Sequence, residues 1–201
     1  MTPSQRNQNI LRAARAQFSH YGAFGTRIEA ILETAQVNKR HLYEFCRTKE
    51  SLYMATLSDV SREVEEAFGV CSREWISFCK RDIYLSFIRF LLHYREFLLL
   101  WCWEELSPTI HGPRLLETMR ALWTQTHEMV FRRSESAMGG SEFESKRAAV
   151  QGLCEMYLHA LMIRSLKEER EDEGVKDAFF LASYSVIEEI IKREIQSLLG
   201  K

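Results

Sequence analysis

Proline and glycine are scarce, 3 and 9 in 201 residues. Sandwiches, barrels and collagen-like chains need far more turn residues, so the shortage points to a mostly helical protein. Long hydrophobic runs are missing too. The longest clean one, Phe97 to Trp103, falls far short of the roughly 20 residues of a membrane helix. The first nine residues are polar and hold no secretory core, so a cytoplasmic chain without membrane contact is expected. Net charge is only −1 and aromatics reach 11%, which argues against disorder.

The five cysteines (Cys46, Cys71, Cys79, Cys102, Cys154) contain no C-x-x-C pair. The six histidines (His20, His41, His93, His111, His127, His159) contain no H-x-x-x-H or H-E-x-x-H. Disulfide frameworks and zinc sites need tighter spacing, so neither a metal nor a cofactor is expected. Thiols at helical spacing act as small hydrophobes, with Cys71, between charged neighbours, the candidate for redox sensing. No nucleophile–base pair or phosphate-cradling glycine loop speaks for an enzyme.

The near-neutral total hides an asymmetry. Residues 1–56 carry eight basic residues against four acids, whereas the remainder carries 19 against 24. A basic head on an acidic body suggests that the head meets a polyanion.

Within the head, Ile10, Leu11, Ala14 and Phe18 mark one face of an amphipathic helix, with Ser4 as its expected cap and Gly22 at its expected end. Thr26 followed by Glu29 has capping-box spacing and predicts a second, short helix with Ile28, Ile31 and Leu32 inward. A turn around Ala35-Gln36-Val37 leads to Asn38, a suitable cap for a third helix to Phe45 that buries Leu42 and Phe45. Thr48 caps a fourth helix expected to end near Phe68 and Gly69.

Two short helices across a tight turn, the second bearing basic and polar groups, make a helix-turn-helix. The second helix fits a major groove, with Lys39 and Arg40 able to donate to guanine O6 and N7. Tyr43, Lys49 and the amino end of the fourth helix can hold phosphates. Thr26, Arg27, Asn38 and His41 complete the candidate DNA-facing set.

These residues also resemble the tetracycline-repressor (TetR) family of bacterial transcription regulators. The match runs through Ile10-Leu11, Ala13-Ala14, Phe18, Gly22, Thr26, Ile31, Ala35, Val37, Leu42-Tyr43, Phe45, Lys49-Glu50 and Leu52, over roughly residues 8–55. The family usually has a small residue where Leu32 stands, a glycine where Gln36 stands and an aromatic where Cys46 stands. A non-glycine residue at a positive-φ turn costs about 1 kcal/mol. The resemblance implies an all-α fold with a three-helix head over residues 1–56 and a ligand-binding, dimerising helical body over 57–201.

In the body, the apolar stretch from Trp75 to Trp103 is too long for one straight helix, and a break is expected near His93-Tyr94-Arg95. Ser107-Pro108 is expected to open the next helix, with His111-Gly112-Pro113 interrupting it before it runs to about Ser134. After a loop at residues 136–141, two long helices are expected over about 142–169 and 174–199. Their apolar stripes are wider than one core contact consumes, which suits a two-fold four-helix contact. Tyr157, Leu161, Phe180, Ile187 and Ile191 are the candidate dimer residues; a helix central to the monomer's own core is the alternative. The family resemblance favours the dimer.

Phe87, Phe90, Trp101, Trp103, Trp123, His127 and Phe131 combine aromatic walls with a few polar tips, as an effector pocket does, although plain core packing would use the same residues. Glu104, Glu105 and Glu128 would suit a cationic effector, against the commoner fate of solvated helix acids. The sequence therefore predicts a homodimeric regulator on a pseudo-palindromic operator of double-stranded DNA, a repressor released by a small hydrophobic or aromatic effector. The alternative is a dimeric ligand-binding or protein-interaction module whose head, altered at Leu32 and Gln36, no longer binds DNA.

Overall fold

The computed structural model describes residues 2–131, together with the single positions 145, 148, 149 and 152. The described residues are all-α, with no strand among them. Seven helices follow in order: α1 Pro3–Gly25, α2 Ile28–Ala35, α3 Lys39–Phe45, α4 Lys49–Trp75, α5 Lys80–His93, α6 Arg95–Leu106 and α7 Pro113–Phe131. The expected loop at 136–141, the last two helices, Cys154 and the dimer candidates Tyr157, Leu161, Phe180, Ile187 and Ile191 lie outside the described residues.

Two compact units emerge. One comprises Met1–Ala67 with Tyr94–Arg120, and the other includes Phe68–His93 and the following part of α7 from Ala121. In the first unit, α1 packs on α2, α3 and α6. Its core takes Ile10, Ala14 and Phe18 from α1, Ile31 from α2, Leu42 from α3, Leu52 and Leu57 from α4, and Phe97 to Trp101 from α6. Phe18 and Tyr53 meet edge-on, with ring centroids 4.8 Å apart. Arg15, on the same helix, reaches Glu63 of α4 and Glu96 of α6. Although burial works against its charge, the Glu63 hydrogen bond and the Glu96, Glu63 and Asp59 carboxylates hold the Arg15 guanidinium above the usual arginine range.

In the second unit, Phe68 is the hub of an aromatic cluster. Trp75, Phe87 and Phe90 stand edge-on to it at 5.6, 5.9 and 5.6 Å. Phe87 meets Trp123 at 4.8 Å, Trp123 stacks on His127, and the Tyr84 hydroxyl lies 2.6 Å from His127 Nδ1.

Several helix ends differ from the sequence expectation. Thr2, not Ser4, caps α1: its hydroxyl accepts the Gln5 N–H at 3.2 Å while the Gln5 side chain takes the Thr2 N–H at 2.8 Å. Pro3 explains the shift, because its missing N–H and fixed φ suit the first helical position. Gly22 has the expected positive φ (67°), but one further turn follows this kink and α1 ends at Gly25. Thr26 caps no helix from in front. It is buried, and its hydroxyl points back to the carbonyls of Gly22 (2.8 Å) and Gln17 (3.1 Å), so Arg27 stands at the N-cap of α2 without a side-chain bond.

Helix α4 passes through Gly69 to Trp75, since the buried, mutually packed Phe68 and Trp75 hold that face down across the glycine. The break at Tyr94 is where the apolar length required it. Pro108 does not start a helix; Pro113 does. Ser107, before Pro108, is non-helical, as the proline ring requires of its predecessor. Gly112 then closes the turn, where a Cβ would lie 1.9 Å from Glu104 Oε2.

Candidate nucleic-acid interface

Helix α3, the second helix of the helix-turn-helix, is built by three local devices. First, α2 ends in a Schellman motif, with the Val37 N–H on the Leu32 carbonyl and the Gln36 N–H on the Glu33 carbonyl, both at 3.2 Å. Gln36 occupies the left-handed position itself (φ 53°, ψ 43°), so the turn forms without the glycine. Second, Asn38 caps α3, its Oδ1 accepting the His41 N–H at 3.0 Å. Third, Leu42 is wholly buried and fixes the rotation of α3. Leu32 is only half-buried, so its bulk sits at the edge of the α2 packing rather than within it.

That rotation turns Lys39, Arg40 and Tyr43 outward. The Lys39 side chain is 62% exposed and that of Arg40 83%. Lys39 Nζ lies 5.9 Å from the centre of the Tyr43 ring and 3.9 Å from Glu29. Arg40 Nε donates to Glu44 at 2.9 Å, one turn on. Exposed pairs of this kind are worth about 0.2–1 kcal/mol and are easily exchanged for a stronger anion.

The other predicted residues divide. Arg27 and Asn38 are exposed, although the Asn38 oxygen is engaged in its cap. Lys49 is half-buried and donates to the Phe24 carbonyl at 3.2 Å, pinning the start of α4 to the last turn of α1. Thr26 is buried with its hydroxyl engaged, and is not on the outer face. His41 is half-buried and lies 2.6 Å from Arg6 through its Nε2.

Thr48 caps α4 as expected, in a reciprocal box with Ser51 at 3.0 Å each way. Glu50 already uses the amino end of this helix: bonds from its own backbone N–H and from Thr48 hold its carboxyl below the usual range. That lessens the helix end's value as a phosphate site.

Sequence reasoning missed Arg6. Nothing local signals it, because its partner lies 35 positions away. It grouped Glu104 with Glu105 and Glu128, as partners of a cationic effector or as solvated helix acids, without separating the three. Glu105 and Glu128 are exposed, but Glu104 is buried. The residues grouped as an effector pocket divide between the units: Trp101 and Trp103 belong to the first, Phe87, Phe90, Trp123 and His127 to the second. Phe131 ends α7, and its side chain lies outside the described residues.

With this geometry in view, four likenesses are informative. Residues 10–56 match the family described as bacterial regulatory proteins, tetR family. Over 57 residues the chain is 42% identical to the HTH-type transcriptional regulator RutR of Escherichia coli (strain K12), a stretch covering 28% of this chain and 27% of that protein. The chain thus spans about a quarter of the length of the curated relatives it matches. Among solved structures, a putative TetR-family transcriptional regulator from Mesorhizobium loti MAFF303099 shares the fold at a TM-score of 0.63 and 16% identity, covering 99% of this chain and 97% of the other. A linker-substituted HlyIIR mutant protein does so at 0.61 and 16% identity, over 100% of both chains.

Proposed function

We propose that this chain, whose residues 10–56 match the tetR family of bacterial regulatory proteins, is a sequence-specific DNA-binding transcriptional regulator that acts as a homodimer. The observation that carries this is the outward row of Lys39, Arg40 and Tyr43 on a short helix fixed by Asn38 and Leu42. Residues 1–56 are the DNA-binding part and 57–201 the effector-binding and dimerising part.

One helix of this length reads only a few base pairs. Two, held about 34–36 Å apart, enter successive major grooves of a pseudo-palindrome. Lys39 and Arg40 supply donors for base edges; Tyr43, Arg27 and Lys49 supply phosphate contacts that set the register. The protein is a repressor, released by a small hydrophobic or aromatic molecule that binds more tightly to a DNA-incompetent arrangement.

A route for such release is available within the first unit. Arg15 ties α1 to α4 and α6, and Trp103 Nε1 donates to the Ser19 carbonyl at 2.9 Å. A shift of α6 is therefore felt by α1, on which α2 and α3 pack.

The test is selection of bound duplexes from a random DNA pool, followed by fluorescence anisotropy over a salt series. A palindromic site with half-sites about one helical turn apart, or a multiple of it, and an affinity that falls steeply with salt are the expected results. No binding to any duplex at low salt would leave the ligand-binding or protein-interaction module as the better account.

A further inference from the structure

Glu104 is 1% exposed, yet no basic side chain pairs with it among the described residues. Its Oε1 accepts the Tyr53 hydroxyl at 2.5 Å and its Oε2 the Thr109 N–H at 2.9 Å, while the Thr109 hydroxyl lies 3.1 Å from each oxygen. Burial, then the bond to Glu104 and its charge, push the Tyr53 phenol far above its usual range, so Tyr53 remains a donor. Three donors converge on a group that, ionised, accepts at about four sites. The described residues leave one site open.

A cavity of about 210 Å³ lies beside it, lined among others by Tyr21, Gly22, Phe24, Tyr53, Trp103 and Glu104. Trp103 is held rigidly: its Nε1 is bound to Ser19, and its indole lies so close to the α1 kink that a Cβ on Gly22 would come within 3.0 Å. Tyr21 and Phe24 are 58% and 78% exposed, unusual for rings of that size, and frame the opening.

We propose that this cavity binds a small organic cation made of one aromatic ring and one protonated amine, with the ammonium on Glu104 and the ring among Tyr21, Phe24 and Trp103. A buried carboxylate with no basic partner among the described residues gains strongly from a cation that brings its own donor. The aromatic faces attract the same charge and pack the ring. Size agrees, since a dry cavity of about 150 Å³ holds benzene and the extra volume here admits an aminomethyl group.

The site also touches the head. Phe24, whose carbonyl holds Lys49, and Gly22, whose carbonyl holds Thr26, both line it, so an occupant bears on the segment leading into α2. This regulatory consequence rests on the DNA-binding reading; the binding itself does not.

Isothermal titration of the full chain with benzylamine, and with benzyl alcohol as its neutral counterpart, tests the site without DNA. The expected result is one site per chain, with the amine bound at least tenfold more tightly and the preference lost in Glu104→Gln. Tyr21→Ala, at an exposed position, should weaken both ligands several-fold and keep the preference for the amine. Equal affinities, a preference that survives Glu104→Gln, or no heat from either ligand up to millimolar concentration would overturn the assignment. If Glu104→Gln does not fold, unchanged amine affinity in Tyr21→Ala overturns it instead. Benzylamine that binds yet leaves the affinity for a selected duplex unchanged would overturn the coupling to the head alone.

Discussion

Arg6, in the first turns of α1, meets the imidazole Nε2 of His41 on α3 at 2.6 Å. Arginine only donates, so Nε2 is the accepting atom of this contact. Nδ1 in turn has no hydrogen-bond partner among the described residues and lies 4.0 Å from Glu44. His41 is thereby engaged in holding α3 to α1, which removes it from the set of free base-reading groups.

A double-mutant cycle measures that engagement. Arg6→Met and His41→Leu should each lower stability by about 1 kcal/mol, and the double variant should lose little more than either single one. Urea midpoints that add up as independent sites would show that the contact carries no coupling.

The outward residues of the head should separate by role. Arg40→Ala or Lys39→Ala should cost about 1–3 kcal/mol on a selected duplex and much less on a scrambled one. Tyr43→Phe and Lys49→Ala should weaken both duplexes alike, and Lys49→Ala should flatten the salt dependence by about one unit of slope. Anisotropy on the two duplexes decides it: equal losses on both for every variant would remove the division between reading and holding.

What the sequence made legible was local. Asn38, Thr48 and the break at Tyr94 could be read because a cap or an apolar length acts over a few residues. Thr26 misled because its spacing to Glu29 fits a cap, whereas its hydroxyl found backbone acceptors on the preceding helix. Arg6 with His41, and Tyr53 with Glu104, are 35 and 51 positions apart. Periodicity holds no information at that range; only packing of α1 against α3 and of α4 against α6 brings them together. Glu104 is the sharpest case, since its neighbour Glu105 is an ordinary exposed acid.

Thiol reactivity should follow burial rather than charge of neighbours. Burial, assisted by the Glu105 charge, pushes the Cys102 thiol up to about 12, and burial also raises Cys46 against an opposing bond to Ser51. Both are shielded; Cys102 also stays protonated at pH 8, far below the range in which it would ionise, and only the thiolate reacts. Cys79 is exposed and Cys71 half-buried. Among the four described cysteines, brief alkylation of the folded chain followed by mass spectrometry should therefore mark Cys79 first, then Cys71, leaving Cys46 and Cys102 until denaturant is added. Labelling of Cys102 as fast as Cys79 in the folded chain would contradict the burial argument.

Gln36 offers the most direct test of how this head tolerates its unusual turn. The left-handed conformation costs a non-glycine residue about 1–2 kcal/mol, whereas glycine adopts it without strain but loses more backbone freedom on folding, about 0.5–1 kcal/mol. The two effects oppose each other and strain is the larger. Gln36→Gly should accordingly raise stability by about 0.5–1 kcal/mol, and Gln36→Val, whose branched side chain fits that conformation worst, should lower it by more than that. Urea midpoints should move in opposite directions at an unchanged slope. Because Gln36 is exposed and both hydrogen bonds of the turn come from backbone groups, the glycine variant should also keep its preference for the selected duplex. A loss of that preference at undiminished stability would mean that the Gln36 side chain itself contributes to recognition.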